Sequence, residues 1–111
     1  MNHGTRLLVY PVTDMDKAKT LFCGLLGVDP YVDAAYYAGF KPGDLEIGLD
    51  PRGRSKGPIG YWEVDDIRAS LQQLIDAGAQ PDQDVRDVGG GKLIATVMDA
   101  DGNTVGLMQS P

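Results

Sequence analysis

The sequence predicts an α+β fold built from two related modules, each with the element order βαβββ. The first observation is a repeated pattern in which an apolar strand, an acidic residue and an amphipathic helix follow one another, at residues 7–15 and again at residues 59–67. The second is a glycine between two apolar residues near the end of each half, at residues 47–49 and 105–107. An internal repeat over roughly 50 residues is a stronger indication of fold than any single motif.

The first module, at about residues 5–50, is predicted to hold one helix and four strands. The apolar residues 6–12 predict the first strand, and Thr13 is interpreted as the N-cap of the helix, with Asp16 three residues later in a weak capping box. Helical spacing then gives one apolar stripe, ended by a C-terminal glycine: Met15, Ala18, Leu21, Phe22, Leu25, Leu26 and then Gly27. Short β-prone runs at 31–33, 35–40 and 45–49 predict the remaining strands.

A linker at residues 51–58, rich in glycine, proline and charge, separates the first module from the second, at about residues 59–109. A strand at 59–64 leads into a helix capped by Asp65 and Asp66 and ended by Gly78. Further strands are predicted at 85–88, 93–98 and 104–108. The three glycines at 89–91 predict a hairpin turn rather than a phosphate loop, because β-prone residues follow them instead of a helix N-terminus.

Composition indicates one globular domain, residues 1–111, and excludes several function classes. The 42% hydrophobic and 23% charged residues are typical of a folded protein. No apolar run approaches the ~20 residues of a membrane span, and the first residues lack the apolar segment of a signal peptide, so we expect a cytoplasmic protein. The net charge of -6 disfavours nucleic acid and anionic membranes as partners. Cys23, the single cysteine, is expected to be a packed residue rather than a reactive thiol.

With this repeat the sequence resembles the vicinal oxygen chelate superfamily, which holds glyoxalase I, bleomycin-resistance proteins and extradiol dioxygenases. The resemblance covers the whole chain and rests on residues 12–15 with 25–28, on 62–67, and on the Asp-Ala-Asp-Gly-Asn turn and strand at 99–107. It implies curled mixed sheets around a cavity, with the helices outside. The motifs are specific for the fold and not for a function, because the superfamily contains both enzymes and binding proteins.

In metal-dependent members of that superfamily, His, Gln or Glu side chains from the first and last strand of each module hold a divalent ion. Carried over by position, the four ligand positions fall on Leu7, Gly48, Ile59 and Gly106. None of these side chains can ligate a metal, so these four positions imply neither a metal site nor a cofactor. The only histidine, His3, is expected to be a disordered terminal residue. A carboxylate-only site at Glu46 and Glu63 stays open as an alternative.

Strand alternation predicts the lining of the implied cavity from the former ligand positions. The predicted lining consists of Leu7, Val9, Tyr37, Glu46, Gly48, Ile59, Tyr61, Glu63, Gly106 and Met108. Trp62 then faces the helix and is expected in the core. Gly48 and Gly106 either leave room for a bulky organic guest or allow close packing of the sheet. This apolar and aromatic lining with a small negative bias suits a neutral or cationic aromatic molecule.

Three functions stay open at this point. The favoured one is a metal-free protein that binds a small organic molecule, including drug sequestration of the bleomycin-resistance type, with no catalytic residue assigned. The others are a divalent-metal-dependent lyase, isomerase or dioxygenase, and a cofactor-free enzyme whose acid or base is Glu46, Glu63 or a tyrosine. The resemblance also implies a homodimer, with the modules paired within one chain or exchanged between two.

Overall fold

The structure is a computed structural model that describes residues 2–111, and it confirms the α+β fold with the order βαβββ occurring twice. The elements are β1 (Asn2–Pro11), α1 (Met15–Leu26), β2 (Val32–Ala34), β3 (Tyr37–Phe40), β4 (Glu46–Asp50), β5 (Ile59–Val64), α2 (Ile67–Asp76), β6 (Gln80–Asp87), β7 (Leu93–Met98) and β8 (Thr104–Gln109). Within the described range, neither helix is long and apolar enough to cross a membrane.

The chain forms two compact units, described here separately. The N-terminal module is Arg6–Ile59, and the C-terminal module is Gly60–Pro111 together with the start of β1 as far as Thr5. In the N-terminal module β4 runs parallel to β1, while β3 is antiparallel to β4 and β2 is antiparallel to β3. In the C-terminal module β8 runs parallel to β5, while β7 and β6 follow in the same antiparallel sense. The repeated sequence pattern is therefore a repeated topology.

Each helix covers one face of its own sheet, because alternate strand residues are apolar and point to that face. Under α1 the buried cluster is Ala38, Phe40, Ile47 and Leu49, with Leu8, Tyr10, Phe22 and Cys23 packed against it. Under α2 the cluster is Val64, Ile67, Ala95 and Leu107, with Leu71 and Leu74 packed against it. Burying one such large apolar side chain contributes about 1.5–3 kcal/mol, so these clusters fix which sheet face each helix covers. Cys23 is a packed residue, as predicted.

The helix caps lie at equivalent positions in the two modules. Asp14 accepts a hydrogen bond from the backbone N–H of Lys17 at 3.1 Å, and Asp66 accepts one from Ala69 at 3.1 Å. The prediction of Thr13 as the N-cap is wrong, because α1 begins one residue later than that assignment requires and Asp14 holds the extended cap backbone. At the other end of α1, Gly27 adopts the left-handed conformation with φ 71, as its predicted role requires.

Three further expectations are corrected. β1 begins at Asn2, so His3 is an ordered strand residue whose ring nitrogen lies 2.6 Å from Asp65. β6 begins at Gln80, earlier than predicted. Its first residues are polar and exposed and give no apolar pattern, which is why the sequence-based prediction placed the start of the strand too late. Trp62 keeps 41% of its surface exposed rather than lying in the core, although alternation places it on the same face as the buried Val64, and it is not among the residues packed under α2.

Candidate functional site

The helix-free face of the N-terminal sheet carries the most polar arrangement among the predicted site residues. Because Ile47 and Leu49 point to α1, alternation places Glu46 and Gly48 on the opposite face. The strand register puts Leu7 beside Glu46 and Val9 beside Gly48. The structure thus brings five predicted lining residues of this module onto one face, the fifth being Tyr37.

Glu46 is the centre of a cluster that we call the Glu46 cluster, formed by Tyr31, Tyr37 and Glu46. The Tyr37 hydroxyl donates to Glu46 Oε2 at 2.5 Å, and the Tyr31 hydroxyl donates to Glu46 Oε1. Each carboxylate oxygen therefore has its own tyrosine donor, and hydrogen bonds to an ionised group are about twice as strong as neutral ones. The two contacts hold the carboxylate in one orientation on the sheet.

Glycine at position 39 forms the floor of the Glu46 cluster. A Cβ atom there would lie 3.1 Å from Tyr37 Cε2, 3.2 Å from Glu46 Oε2 and 3.4 Å from Tyr31 Cε1. The backbone of Gly39 also accepts a hydrogen bond from the Tyr31 N–H at 2.9 Å, which fixes where Tyr31 enters β2. The cluster can lie flat on the sheet because this position has no side chain.

The two glycines at ligand positions implied by the resemblance are both covered by tyrosine rings. A Cβ on Gly48 would lie 2.7 Å from Tyr37 Cε1, and a Cβ on Gly106 would lie 2.5 Å from Tyr61 Cδ1. Tyr61 stands directly opposite Gly106 in the parallel pair of β5 and β8. In each module the space beside the glycine is filled by a tyrosine ring of the same module.

Both tyrosines of the Glu46 cluster stay protonated donors at neutral pH. Burial and the hydrogen bond to the Glu46 carboxylate raise the pKa of Tyr31 to about 12. The same two causes, burial first, raise the pKa of the more deeply placed Tyr37 further. A phenolate beside the carboxylate would be desolvated and repelled by a like charge, so the neutral hydroxyl is favoured.

By comparison, the helix-free face of the C-terminal sheet is more apolar, and its polar side chains form hydrogen bonds within the same module. Tyr61 and Met108 are 7% and 5% exposed. Thr96 is buried on the same face, where its hydroxyl donates to Asp82 Oδ2 at 2.9 Å and accepts from the Gln83 N–H at 3.1 Å. Glu63 accepts a hydrogen bond from the Ser110 hydroxyl and lies opposite Met108. Ile59, at the start of β5, is half-buried.

Sequence reasoning missed Tyr31 and Gly39. Tyr31 precedes β2 and is 58% exposed, so neither alternation nor burial marks it. The structure shows why the two belong together: Gly39 stands opposite Gly48, and paired glycines leave space that neighbouring tyrosines fill.

A divalent ion, which the resemblance implies for metal-dependent members, does not fit the residues present. The four positions that would hold it are Leu7, Gly48, Ile59 and Gly106, and none offers a donor atom in its side chain. Both oxygens of Glu46 accept from tyrosine hydroxyls. Over residues 2–111, no three His, Cys, Asp or Glu side chains come together in a way that could hold a metal ion.

A separate surface depression of about 580 Å³ lies at the N-terminus of α1 and does not coincide with the Glu46 cluster. Its charged groups are paired with one another: Lys19 Nζ lies 3.0 Å from Asp33 Oδ1 and 3.9 Å from Asp16 Oδ1. Asp14, also on its wall, is occupied as the helix cap. The charged side chains on its wall are thus engaged within the N-terminal module.

Comparison with known proteins gives one family and several solved structures. The family model described as the Glyoxalase/Bleomycin resistance protein/Dioxygenase superfamily matches residues 4–107. A superfamily member from Vibrio splendidus 12B01 is similar with 13% identity and a TM-score of 0.73, over 94% of this chain and 97% of that one. A comparison with curated protein sequences gave no significant match.

Several of the similar structures carry the names of enzymes, and two examples follow. A variant of Streptomyces coelicolor methylmalonyl-CoA epimerase, in complex with 2-nitronate-propionyl-CoA, is 15% identical with a TM-score of 0.73, over 99% of both chains. A Mn(II)-bound glyoxalase from Novosphingobium aromaticivorans is 18% identical with a TM-score of 0.73, over 98% of this chain and 40% of that one. At these identities the likeness shows the fold alone.

Proposed function

The chain belongs to the glyoxalase/bleomycin resistance protein/dioxygenase superfamily, and from this premise we propose that it binds a small organic molecule without a divalent metal. The observation that carries the proposal is the Glu46 cluster on the helix-free face of the N-terminal sheet. There, Tyr37 covers the glycine at the position where metal-dependent relatives supply a ligand. On this proposal the phenol of Tyr37 fills the space where the resemblance implies a metal-binding side chain.

The chemistry of the Glu46 cluster favours a guest that donates hydrogen bonds or carries positive charge. A carboxylate accepts up to about four hydrogen bonds, so Glu46 keeps acceptor capacity beyond its two tyrosine contacts. Tyr31 is 58% exposed beside that carboxylate, and an aromatic ring attracts a cation placed over its face. A flat amine, amidine or guanidine matches both features, and an anionic guest matches neither.

The relatives support the small-molecule class and leave its chemistry open. The Streptomyces epimerase variant holds 2-nitronate-propionyl-CoA, a small organic ligand. The Glu46 carboxylate lies at the centre of the cluster, and the whole chain has a net charge of -6. Because both would repel an anion, we expect a guest less anionic than that ligand. Binding is preferred to metal catalysis because the four ligand positions lack donors.

The first test is native mass spectrometry of protein purified without chelators. The expected result is protein free of divalent metal, and a retained organic mass would identify the guest class directly. A stoichiometric divalent ion would overturn the metal-free proposal and place the protein among the metal-dependent members of the superfamily.

The second test uses benzamidine as a cationic planar probe and benzoate as its anionic counterpart, each titrated by NMR. Benzamidine is expected to perturb resonances of Gly39 and Glu46, and Glu46→Gln should weaken its binding about tenfold or more, because a hydrogen bond to a charged group is worth about 1.5–3 kcal/mol. Glu63→Gln, which removes the same charge from the C-terminal module, should leave benzamidine binding unchanged. Equal binding of benzoate and benzamidine, or benzamidine binding unaffected by Glu46→Gln, would contradict the proposal.

A further inference from the structure

The two tyrosines that donate hydrogen bonds to Glu46 differ in how firmly they are held. Tyr37 lies on β3, is half-buried, and places its ring against Gly48. Tyr31 precedes β2 and is 58% exposed, and residues 27–29 before it are exposed as well. Moving the Tyr31 side chain out of the Glu46 cluster therefore exposes little further apolar surface, whereas moving Tyr37 would open the space beside Gly48.

The backbone and the side chain of Tyr31 are held by separate groups. Its backbone N–H donates to the Gly39 carbonyl at 2.9 Å, and its hydroxyl donates to Glu46 Oε1. Exposed side chains change rotamer within nanoseconds or less. The Tyr31 hydroxyl can therefore leave the carboxylate by rotation of the side chain alone, while the backbone contact with Gly39 stays in place.

Tyr31 occupies the place that a hydrogen-bonding guest needs. Its hydroxyl lies at Glu46 Oε1, and Cε1 of its ring lies 3.4 Å from where a Cβ on Gly39 would be. The other carboxylate oxygen, Oε2, is bound by the Tyr37 hydroxyl at 2.5 Å. Because Tyr31 is the exposed donor of the two, a group that arrives from solvent reaches Oε1 where the Tyr31 hydroxyl lies.

We propose that the Tyr31 hydroxyl is an internal competitor for the guest: a cationic guest replaces it at Glu46 Oε1, while Tyr37 stays bound to Oε2. A cation adds the attraction of opposite charges, which a neutral phenol lacks, so it displaces the hydroxyl where a weaker donor does not. The released ring stays beside the carboxylate, held by its backbone at Gly39, and can contact the cation. Tyr31 thereby selects the guest of the proposed function, on which this inference rests.

Deletion of each hydroxyl in turn tests this inference, with benzamidine as the probe titrated by NMR. Tyr31→Phe should bind benzamidine about fivefold more tightly than the wild type, because the guest no longer displaces a competing hydrogen bond. Tyr37→Phe is the matched control, since it removes the same group from the same carboxylate, and it should not tighten binding. Tyr31→Ala should bind less tightly than Tyr31→Phe, because it also lacks the ring. Thermal melts followed by circular dichroism check that each variant is folded.

A spectroscopic readout follows the Tyr31 ring and its amide separately. With isotope-labelled tyrosine, saturating benzamidine should shift the ring signals that are absent from Tyr31→Phe, while hydrogen exchange of the Tyr31 amide stays unchanged because its bond to Gly39 remains. A purely structural Tyr31 would leave its ring signals in place.

The outcomes separate this inference from the proposed function. Unchanged or weaker binding of benzamidine by Tyr31→Phe, or an equal gain in Tyr37→Phe, would overturn the role of Tyr31 and leave the proposed function standing, as long as Glu46→Gln still weakens binding. If neither the wild type nor Tyr31→Phe preferred benzamidine to benzoate, the proposed function would be overturned, and the role of Tyr31 with it.

Discussion

The N-terminal and C-terminal modules share strand order and register, yet they cover their central glycines in different ways. In the C-terminal module the covering ring belongs to Tyr61, which stands on β5 directly opposite Gly106. In the N-terminal module Val9 occupies the equivalent place opposite Gly48, and the ring comes from Tyr37 on β3. The covering tyrosine therefore comes from the first strand in the C-terminal module and from the third strand in the N-terminal module.

A second difference lies on the third strand of each module, β3 in the N-terminal module and β7 in the C-terminal module. Gly39 in the N-terminal module and Thr96 in the C-terminal module both stand opposite the central glycine. Thr96 fills its position and is satisfied by Asp82 and Gln83, whereas the space above Gly39 holds the Glu46 cluster. The comparison teaches that one copy of a repeat can fill this face by packing while the other keeps a polar cluster at the same place.

The largest expected effect is the difference between Gly106→Ala and Gly48→Ala. The new methyl of Gly106→Ala meets the ring of Tyr61, which is only 7% exposed and has little room to move. Overpacking of this kind costs about 1–3 kcal/mol. At Gly48 the methyl meets the hydroxyl and ring of Tyr37. Tyr37 is only half-buried and can shift at the cost of its hydrogen bond to Glu46, so we expect a smaller loss. Urea denaturation measures both free energies of unfolding.

Gly43→Ala is the control for this pair of variants, because a Cβ at Gly43 meets nothing within 4 Å and the backbone there needs no positive φ. Its free energy of unfolding should match that of the wild type within about 0.5 kcal/mol. If Gly106→Ala were as stable as Gly43→Ala, the ring of Tyr61 would not be the constraint that makes glycine necessary in β8.

The helix caps test whether the modules are equivalent where their sequences agree. Asp14→Ala and Asp66→Ala should each lower the free energy of unfolding by about 1 kcal/mol, because each leaves one helical N–H without its acceptor. Chemical denaturation of the two variants measures this. Thr13→Ala is expected to change stability little, and a loss equal to that of Asp14→Ala would restore the sequence-based assignment of Thr13 as the cap.

Alternation and repetition explain why most of the fold could be predicted from the sequence. The apolar residues at period two in β4 and β8 fixed which face lies under a helix, and this also placed Glu46 and Gly48 on the other face. The repeated acidic residue located both helix starts to within one residue. These are local patterns, and each concerns residues close together in the chain.

The parts that could not be predicted depend on contacts between distant residues. The hydroxyl of Tyr31, which precedes β2, donates to the carboxylate of Glu46 on β4. No spacing rule in the sequence links these two residues. β6 pairs on one side only, with β7, and its early residues such as Gln80 are exposed. Polar residues are tolerated there, so no apolar pattern in the sequence marks the start of this strand. His3 is ordered through Asp65, a residue of the distant strand-to-helix turn.

The last expected effect concerns alkaline pH and arises from the two tyrosines of the Glu46 cluster in the N-terminal module. The pKa of Tyr31 is raised from 10.0 to about 12 in the folded chain, and that of Tyr37 is raised in the same direction. A group whose folded pKa lies above its unfolded value contributes stability below the unfolded pKa and loses it as pH rises. The free energy of unfolding should therefore fall as pH rises above 10, by less than a cap contributes for Tyr31, because that side chain is mostly exposed and screened by solvent.

Glu46→Gln separates the two causes of these shifts. The variant removes the negative charge and keeps the burial, so the tyrosinate absorbance should develop at lower pH than in the wild type without reaching ordinary tyrosine behaviour, since burial is the larger cause for both tyrosines. Glu63→Gln should leave the ultraviolet titration unchanged, because Glu63 accepts from Ser110 in the other module. If Glu46→Gln and Glu63→Gln gave the same titration curve, the Glu46 cluster would not persist in solution, and the asymmetry between the modules would reduce to the packing of their glycines.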